Sequence, residues 1–528
     1  MSDETTNSPE SSPPWCYPNV VSARPGDEVA LHTSAGGRCE LFVRRLGATN
    51  HDVLHLRDLD LENHPTPDDA DTNGCGWPVG VRFEIGDWRS GYYDIELRDA
   101  TGASTHHFVC VRPAAEAPRA RALMVLATNT YHSYNYWGGA NSYAHVEDML
   151  AGADAAACRE RAIGRLSRMR PFAQKLLVPP DGAPRLVNLA PRAVGEFAIP
   201  GELEWMIEHA PSPYDGSAGF IDKWEHRFAA WAETEGLDLD YATDHDFGDD
   251  PAVLEGYAAV FLVGHSEYWS AEQRAQLDAY VRAGGNLAIF SGNTGYWKVR
   301  WEDDGTPLIA HKWNGERDDP LWADEATRQQ ATHLWSHPAF GAPEAEVTGL
   351  SFIYGGYHRL AMCAARGSSA YTVYDDTHWA LEHSDLFYGD TFGGDVPLLG
   401  YENDGCPIGF DERGLPVPDG GVGVPPHLQI IAIAPATLFE SPRSPFPAII
   451  PPESPEVLAE VGYGSSDDAT IERLTRGHAV LATFTSGDGE VFNAGTTEWV
   501  HGLAAADPFV AQITRNVIAR FTASRRPP

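Results

Sequence analysis

The chain has 528 residues, room for about two to four domains, and its 43% hydrophobic and 21% charged residues are ordinary for a globular protein. Against 75 Asp and Glu stand 38 Lys and Arg, a formal charge of −37. No Lys/Arg stripe offsets that balance, which excludes a nucleic-acid backbone and an anionic membrane surface as partners.

The first segment, Met1–Pro14, is acidic, rich in Ser and Pro, and lacks the apolar stretch of a signal peptide. Residues 1–18 are expected to form a disordered tail. Residues 19–114 predict an antiparallel β-sandwich domain. There "EVALHT" and "CELFVRRL" alternate, and "SGYYDIELRDATGASTHHFVCVRP" reads as two strands around a turn at Asp99–Ala103. The acidic stretch Asp58–Asp71 is expected to be a loop, and the Pro/Ala-rich Arg112–Arg121 a linker.

Residues 120–528 predict an α/β catalytic domain. "ALMVLA" (Ala122–Ala127), "AVFLVG" (Ala259–Gly264) and "NLAIF" (Asn286–Phe290) are short apolar runs, the mark of strands buried on both faces. "LDLDYAT" is a further strand, and "VPLLGY" (Val396–Tyr401) another. Ile221, Trp224, Phe228 and Trp231 fall at helical spacing, with Gly236 as a stop. Ser270 and Gln273 form a capping box that opens a helix to about Ala283. Asp507 caps a last helix that carries Phe509, Val510, Ile513, Val517 and Phe521. Strands alternating with helices predict a mostly parallel sheet with helices on both faces. No run of about 18 apolar residues predicts a membrane span. Cys16, Cys39, Cys75, Cys110, Cys158, Cys363 and Cys406 include no CxxC pair. They read as reduced thiols of a cytoplasmic protein.

Open parallel sheets bind ligands beyond the carboxyl ends of their strands. After Ala122–Ala127 come Tyr131, Tyr134 and Tyr136; after Ala259–Gly264, His265 and Glu267; after Asn286–Phe290, Asn293; after Val396–Tyr401, Glu402; and after "EVFNAG", Thr496, Thr497 and Glu498. His265 and Glu267 share a side if the chain stays extended. They could ligate a metal, work as acid and base, or form a structural ion pair. The tyrosines could pack as ordinary aromatics or supply phenolate, which with carboxylate is a hard donor for Fe(III). Between Arg227 and Arg274 stand eleven Asp/Glu and no Lys or Arg, a setting that favours a cation or is simply a solvated face. No GxSxG, P-loop or HExxH motif is present.

Taken in order, "ATNTYHSYNYWGG", "RPF" (Arg170–Phe172), "YATDHDF", "GHSEYWS", "GGNLAIFSGNTGYWKVRWE", "GYENDG" and "FNAGTTEWVHGL" resemble the large (beta) subunit family of N,N-dimethylformamidase, from Ala122 to Phe521. The resemblance implies a Rossmann-like, glutamine-amidotransferase-like domain with a mononuclear Fe(III) held by two tyrosines and a glutamate. Glu267 matches the glutamate and Tyr134 the first tyrosine. The second tyrosine aligns near "RPF", where this chain has Phe172; Tyr131 is taken as its replacement, with Tyr143 as the other candidate. His265, Asn293 and Glu402 match polar residues of that site. The activity implied is hydrolysis of a small amide at its C–N bond, with Glu402 as the base. A homo-oligomer, and a small partner subunit, are implied as well. Two other readings keep the scaffold: an enzyme for a different C–N substrate, and a non-catalytic relative whose aromatic pocket holds a carbohydrate.

Overall fold

Side-chain alternation shapes the front of the chain. In the computed structural model, which describes residues 13–135, 137–143, 145, 162–172, 219–221, 224–357, 370–396, 398–399, 402–438 and 455–523, the first strands are β1 (Trp15–Pro18), β2 (Ser22–Ala23), β3 (Glu28–Ser34) and β4 (Gly37–Arg45). β5 (His51–Leu61), β6 (Val79–Glu84), β7 (Gly91–Asp99) and β8 (Ser104–Val111) follow. One sheet runs β1-β3-β6 and the other β2-β8-β7-β4-β5. Along β4, Cys39, Leu41 and Val43 are buried while Glu40, Phe42 and Arg44 are less so, the period of two that one buried face requires. Those residues meet Val29, Leu31, Val81, Phe83, Ile95 and Val109 in one core. All pairings are antiparallel except β2 with β8, which is parallel.

Two expectations change here. Trp15–Pro18 is strand rather than tail, because Cys16 and Tyr17 bury against β3. Residues 1–12 lie outside the described residues, as do Tyr136, Cys158 and Cys363. Asp58–Leu61 belongs to β5 rather than to a loop; a polar sequence suits an edge strand with a solvated face, and charge there discourages pairing with another chain.

The second part is built on a nine-stranded sheet. Its strands are β9 (Ala122–Leu126), β10 (Leu239–Thr243), β11 (Ala259–Gly264), β12 (Asn286–Ser291), β13 (Tyr371–Val373), β14 (Thr391–Phe392), β15 (Gln429–Ala436), β16 (Gly477–Ser486) and β17 (Gly489–Asn493). Their order is β10-β9-β11-β12-β17-β16-β15-β13-β14. The first five are mutually parallel and the remaining pairings antiparallel. The expected parallel sheet is therefore one half of a mixed one. The switch has a local cause: β16 and β17 are joined by Gly487 and Asp488 alone, and so short a link can only return antiparallel.

Helices cover both faces of the parallel half. α1 (Thr128–Tyr134) follows β9; α2 (Trp224–Thr234), α3 (Ala271–Arg282), α4 (Trp499–Ala504) and α5 (Pro508–Ala523) follow in turn. Ala122, Met124 and Leu126 of β9 share a core with Trp224, Phe228, Trp499, Ile513 and Val517, on α2, α4 and α5. Leu123 and Val125 share the other core with Leu277, Tyr280 and Val281 of α3. Both caps form: the Ser270 hydroxyl accepts from Gln273 N at 3.2 Å, and Asp507 Oδ1 accepts from the N–H groups of Phe509 and Val510. The strand expected over Val396–Tyr401 is not seen; Leu398 and Leu399 lie in a bend, and residues 397, 400 and 401 lie outside the described residues.

Candidate metal centre

Four loops meet beyond the carboxyl ends of β9, β11, β12 and β17. α1 starts straight after β9 and ends on Tyr134. The chain then folds back: Ser142 N donates to Ser133 O, and Asn141 Oδ1 accepts from Tyr143 N at 2.9 Å. That return packs Tyr143 against Tyr134, with ring centroids 4.9 Å apart, planes tilted by 42° and hydroxyls 2.9 Å apart. β11 is followed by His265, Ser266 and Glu267, and Thr130 Oγ1 of α1 accepts from Glu267 N. Tyr134 donates to Glu267 Oε2 at 2.9 Å, and Tyr143 reaches Oε1 at 3.0 Å and Oε2 at 3.2 Å. Tyr268 donates to the Tyr143 hydroxyl at 2.8 Å.

The other predicted residues close the ring. His265 Nδ1 faces Gly292 O at 3.1 Å, so it carries a proton, and Nε2 lies 3.1 Å from Glu267 Oε2 and 3.0 Å from Glu402 Oε2. Asn293 Nδ2 reaches Glu402 Oε1 at 3.2 Å and Glu267 Oε1 at 3.4 Å. Glu402 is fixed through its backbone, whose N–H donates to Thr497 Oγ1 and whose carbonyl accepts from Thr497 N. Glu498 turns away to His501 at 2.5 Å.

Tyr131 does not join this group. It donates to Glu225 Oε2 at 2.5 Å, and its ring packs on Phe108 and Phe172. On α1 it precedes Tyr134 by three residues, yet the side chains go to different partners. Phe172, at the "RPF" position, lies in that aromatic packing and not at the centre.

Charge is dense and closely balanced. Burial opposes a charged His265, but the Glu402 and Glu267 carboxylates outweigh it and hold the imidazole up at about 9. Burial pushes Glu267 up, yet the adjacent His265 and Lys312 hold it below the ordinary carboxylate value. Lys312 went unnoticed in the sequence. It sits in left-handed backbone at φ 55° and places Nζ 3.0 Å from the Tyr143 ring centroid and 4.2 Å from that of Trp313. Tyr268 and Asp404 also gain their roles only in three dimensions. Five of the eleven acids in the stretch around Glu267 are paired with arginines: Glu233 with Arg45, Glu235 with Arg515, Asp238 with Arg89, and Asp246 and Asp250 with Arg112.

Two phenols and a carboxylate suit a small hard cation. The Tyr134, Tyr143 and Glu267 oxygens lie 2.9 to 3.2 Å apart, close to the spacing of about 3 Å for oxygens bound at right angles to one ion. Asn293 Oδ1, buried beside them, has no hydrogen-bond partner. These residues fit such an ion. Among the described residues no group of three or more His, Cys, Asp and Glu side chains is arranged for a metal, so a donor set at this centre would need the phenols.

Fold and site define a mixed α/β protein with a buried oxygen-donor centre at the carboxyl edge of its parallel strands. Residues 42–513 match the family described as "N,N-dimethylformamidase beta subunit-like, C-terminal", and the chain belongs to that family. No curated protein matches it. Among solved structures, a superoxide reductase (neelaredoxin) from Ignicoccus hospitalis is similar at 9% identity and a TM-score of 0.13, over 19% of this chain and 81% of that one. A cycloisomaltooligosaccharide glucanotransferase from Paenibacillus sp. is similar at 9% identity and a TM-score of 0.16, over 53% of this chain and 52% of that one. Likeness at such scores carries no argument about fold or activity. No helix among the described residues is long and apolar enough to cross a membrane.

Proposed function

We propose that the chain is an iron-dependent amidohydrolase that cleaves the C–N bond of a small linear amide such as N,N-dimethylformamide. The observation that carries this reading is the convergence of the Tyr134 and Tyr143 hydroxyls on Glu267, beside His265 and a second carboxylate, Glu402. Family membership supports amide hydrolysis. Five parallel strands with helices on both faces support a Rossmann-like, glutamine-amidotransferase-like scaffold.

Tyr134, Tyr143 and Glu267 would hold the ion. When bound, iron(III) supplies a Lewis acid for the amide carbonyl and for water. Glu402 takes a proton from the attacking water, whose oxygen bonds to the carbonyl carbon. The same carboxyl returns that proton to the nitrogen as the C–N bond breaks, so a carboxylic acid and an amine leave. His265 Nε2 and Asn293 Nδ2 offer N–H groups between the two glutamates, where they orient the carbonyl and steady the charge developing on its oxygen.

The free, buried Cys16, Cys39, Cys75, Cys110 and Cys406 support a reducing, cytoplasmic setting. The family's description as beta-subunit-like supports assembly with a second subunit; that this partner is small, and that the chain also forms a homo-oligomer, are parts of the same proposal. Incubation with N,N-dimethylformamide should release formate and dimethylamine in equal amounts. Glu402→Gln should lower kcat by about 10²- to 10⁴-fold and leave bound iron unchanged. Full turnover by Glu402→Gln would remove it as the base, and loss of iron would place it among the ligands.

A further inference from the structure

Asn293 occupies a demanding position. Its φ is 51°, left-handed backbone that Gly adopts without strain, and the preceding Gly292 has no room for a side chain. A Cβ at Gly292 would lie 2.3 Å from Glu402 O and 2.6 Å from Thr497 N. An asparagine in such a turn must be held there, and the amide it carries is the one aimed at Glu267 and Glu402.

Asp404 supplies the hold. Its Oδ1 accepts from Asn293 N at 2.8 Å and its Oδ2 from Thr294 N at 3.1 Å. Two successive N–H groups around a left-handed residue form a concave anion seat, here filled by a carboxylate of the chain itself. Asp404 is fully buried, and among the described residues no Lys, Arg or His side chain is paired with it. A buried carboxylate satisfied by backbone N–H groups is costly to keep without a task. Its place follows from strand alternation: Asn403–Gly405 is extended, so Glu402 and Asp404, two apart, face the same loop. One grips the Asn293 side chain and the other its main chain. The strand is itself pinned across the end of β17, with Asp404 N donating to Gly495 O at 3.0 Å and Asn403 bridged to Thr496.

We propose that Asp404 is the positioning residue that sets the Asn293 amide between Glu267 and Glu402. The inference rests on the amidase reading for its kinetic arm and on geometry alone for its structural arm. In the kinetic arm, with N,N-dimethylformamide as substrate, Asp404→Asn should lower kcat by about 10- to 100-fold, leaving KM and iron content near wild type. Asn293→Gly takes the turn without strain and removes the amide. Adding Asp404→Asn to it should cost nothing further, the signature of two residues acting as one. An additive double variant, or wild-type kcat in Asp404→Asn, would overturn the proposal. In the structural arm, backbone hydrogen exchange in the peptide spanning residues 292–295 should speed up at least about 10-fold in Asp404→Asn, while β11 and β12 keep their protection. Unchanged exchange at that turn would overturn the proposal whether or not the protein turns over any amide. Wild type inactive on amides, with faster exchange in the variant, would instead sink the amidase reading and keep Asp404 as the turn's anchor.

Discussion

Tyr131 and Tyr134 occupy one turn of one helix, and the structure separates their work. Tyr134 meets Glu267, while Tyr131 meets Glu225, whose Oε1 also accepts from Ala127 N. Burial pushes Glu225 from its ordinary 4.5 to about 8, against the hydrogen bonds it accepts. The sign follows from linkage. Below pH 4.5 the folded and unfolded chains both carry the proton and nothing is lost. Between pH 4.5 and 8 only the folded chain holds it, so stability falls as pH rises, by up to about 1.4 kcal/mol per pH unit, and levels off above. Glu225→Gln mimics the protonated form. Its unfolding free energy should gain on wild type across that window and run parallel to it on either side. Parallel curves throughout, in urea titrations at a series of pH values, would show Glu225 ionised in the folded protein.

At the scale of elements, local chemistry decides more than composition does. Ser270 caps α3 through Gln273 N, so Ser270→Ala should lower the unfolding free energy by about 1 kcal/mol; an unchanged denaturation midpoint would deny the cap any weight. The strands that carry the site were legible because β9 and β11 are short, wholly apolar runs and β12 is apolar over Leu287–Phe290, and because polar residues follow each of them. The placement of His265, Glu267 and Asn293 at one edge could be read from that pattern; Glu402 reaches the same edge, but the strand expected before it over Val396–Tyr401 is not seen. Tyr143 against Tyr131 could not, since the choice depends on a return loop closed by Asn141 and Ser133, with no periodicity to read. β5 was hidden because an edge strand with charged residues on its open face looks like a loop. The antiparallel half was hidden because strand direction comes from connection length, and Gly487–Asp488 carried no weight in a reading of apolar runs. Lys312 had no signal at all: it is buried among aromatic rings that come from separate segments.

Over the whole molecule, the charge of −37 is less loose than it looks. Arg45 of β4 reaches Glu233 of α2 at 2.7 Å, and the two side chains are only 5% and 12% exposed. Burial acts to raise Glu233, but Arg45 and Ala48 N hold it below its ordinary value. The pair ties the front sheets to the nine-stranded part. Breaking one partner of a nearly buried pair strands the other charge, so Arg45→Met should cost about 3 kcal/mol and lower Tm. A Tm within a degree of wild type would show that apolar contact alone joins the two parts.

The central claim is that two tyrosines and one glutamate make this a metal protein, and that the second tyrosine is Tyr143. Iron per chain, measured on protein prepared without added metal, tests it most directly. The account predicts about one iron in wild type and in Tyr131→Phe, and its loss in Tyr143→Phe and Glu267→Ala. Wild type without iron, or iron lost from Tyr131→Phe and kept by Tyr143→Phe, would contradict it.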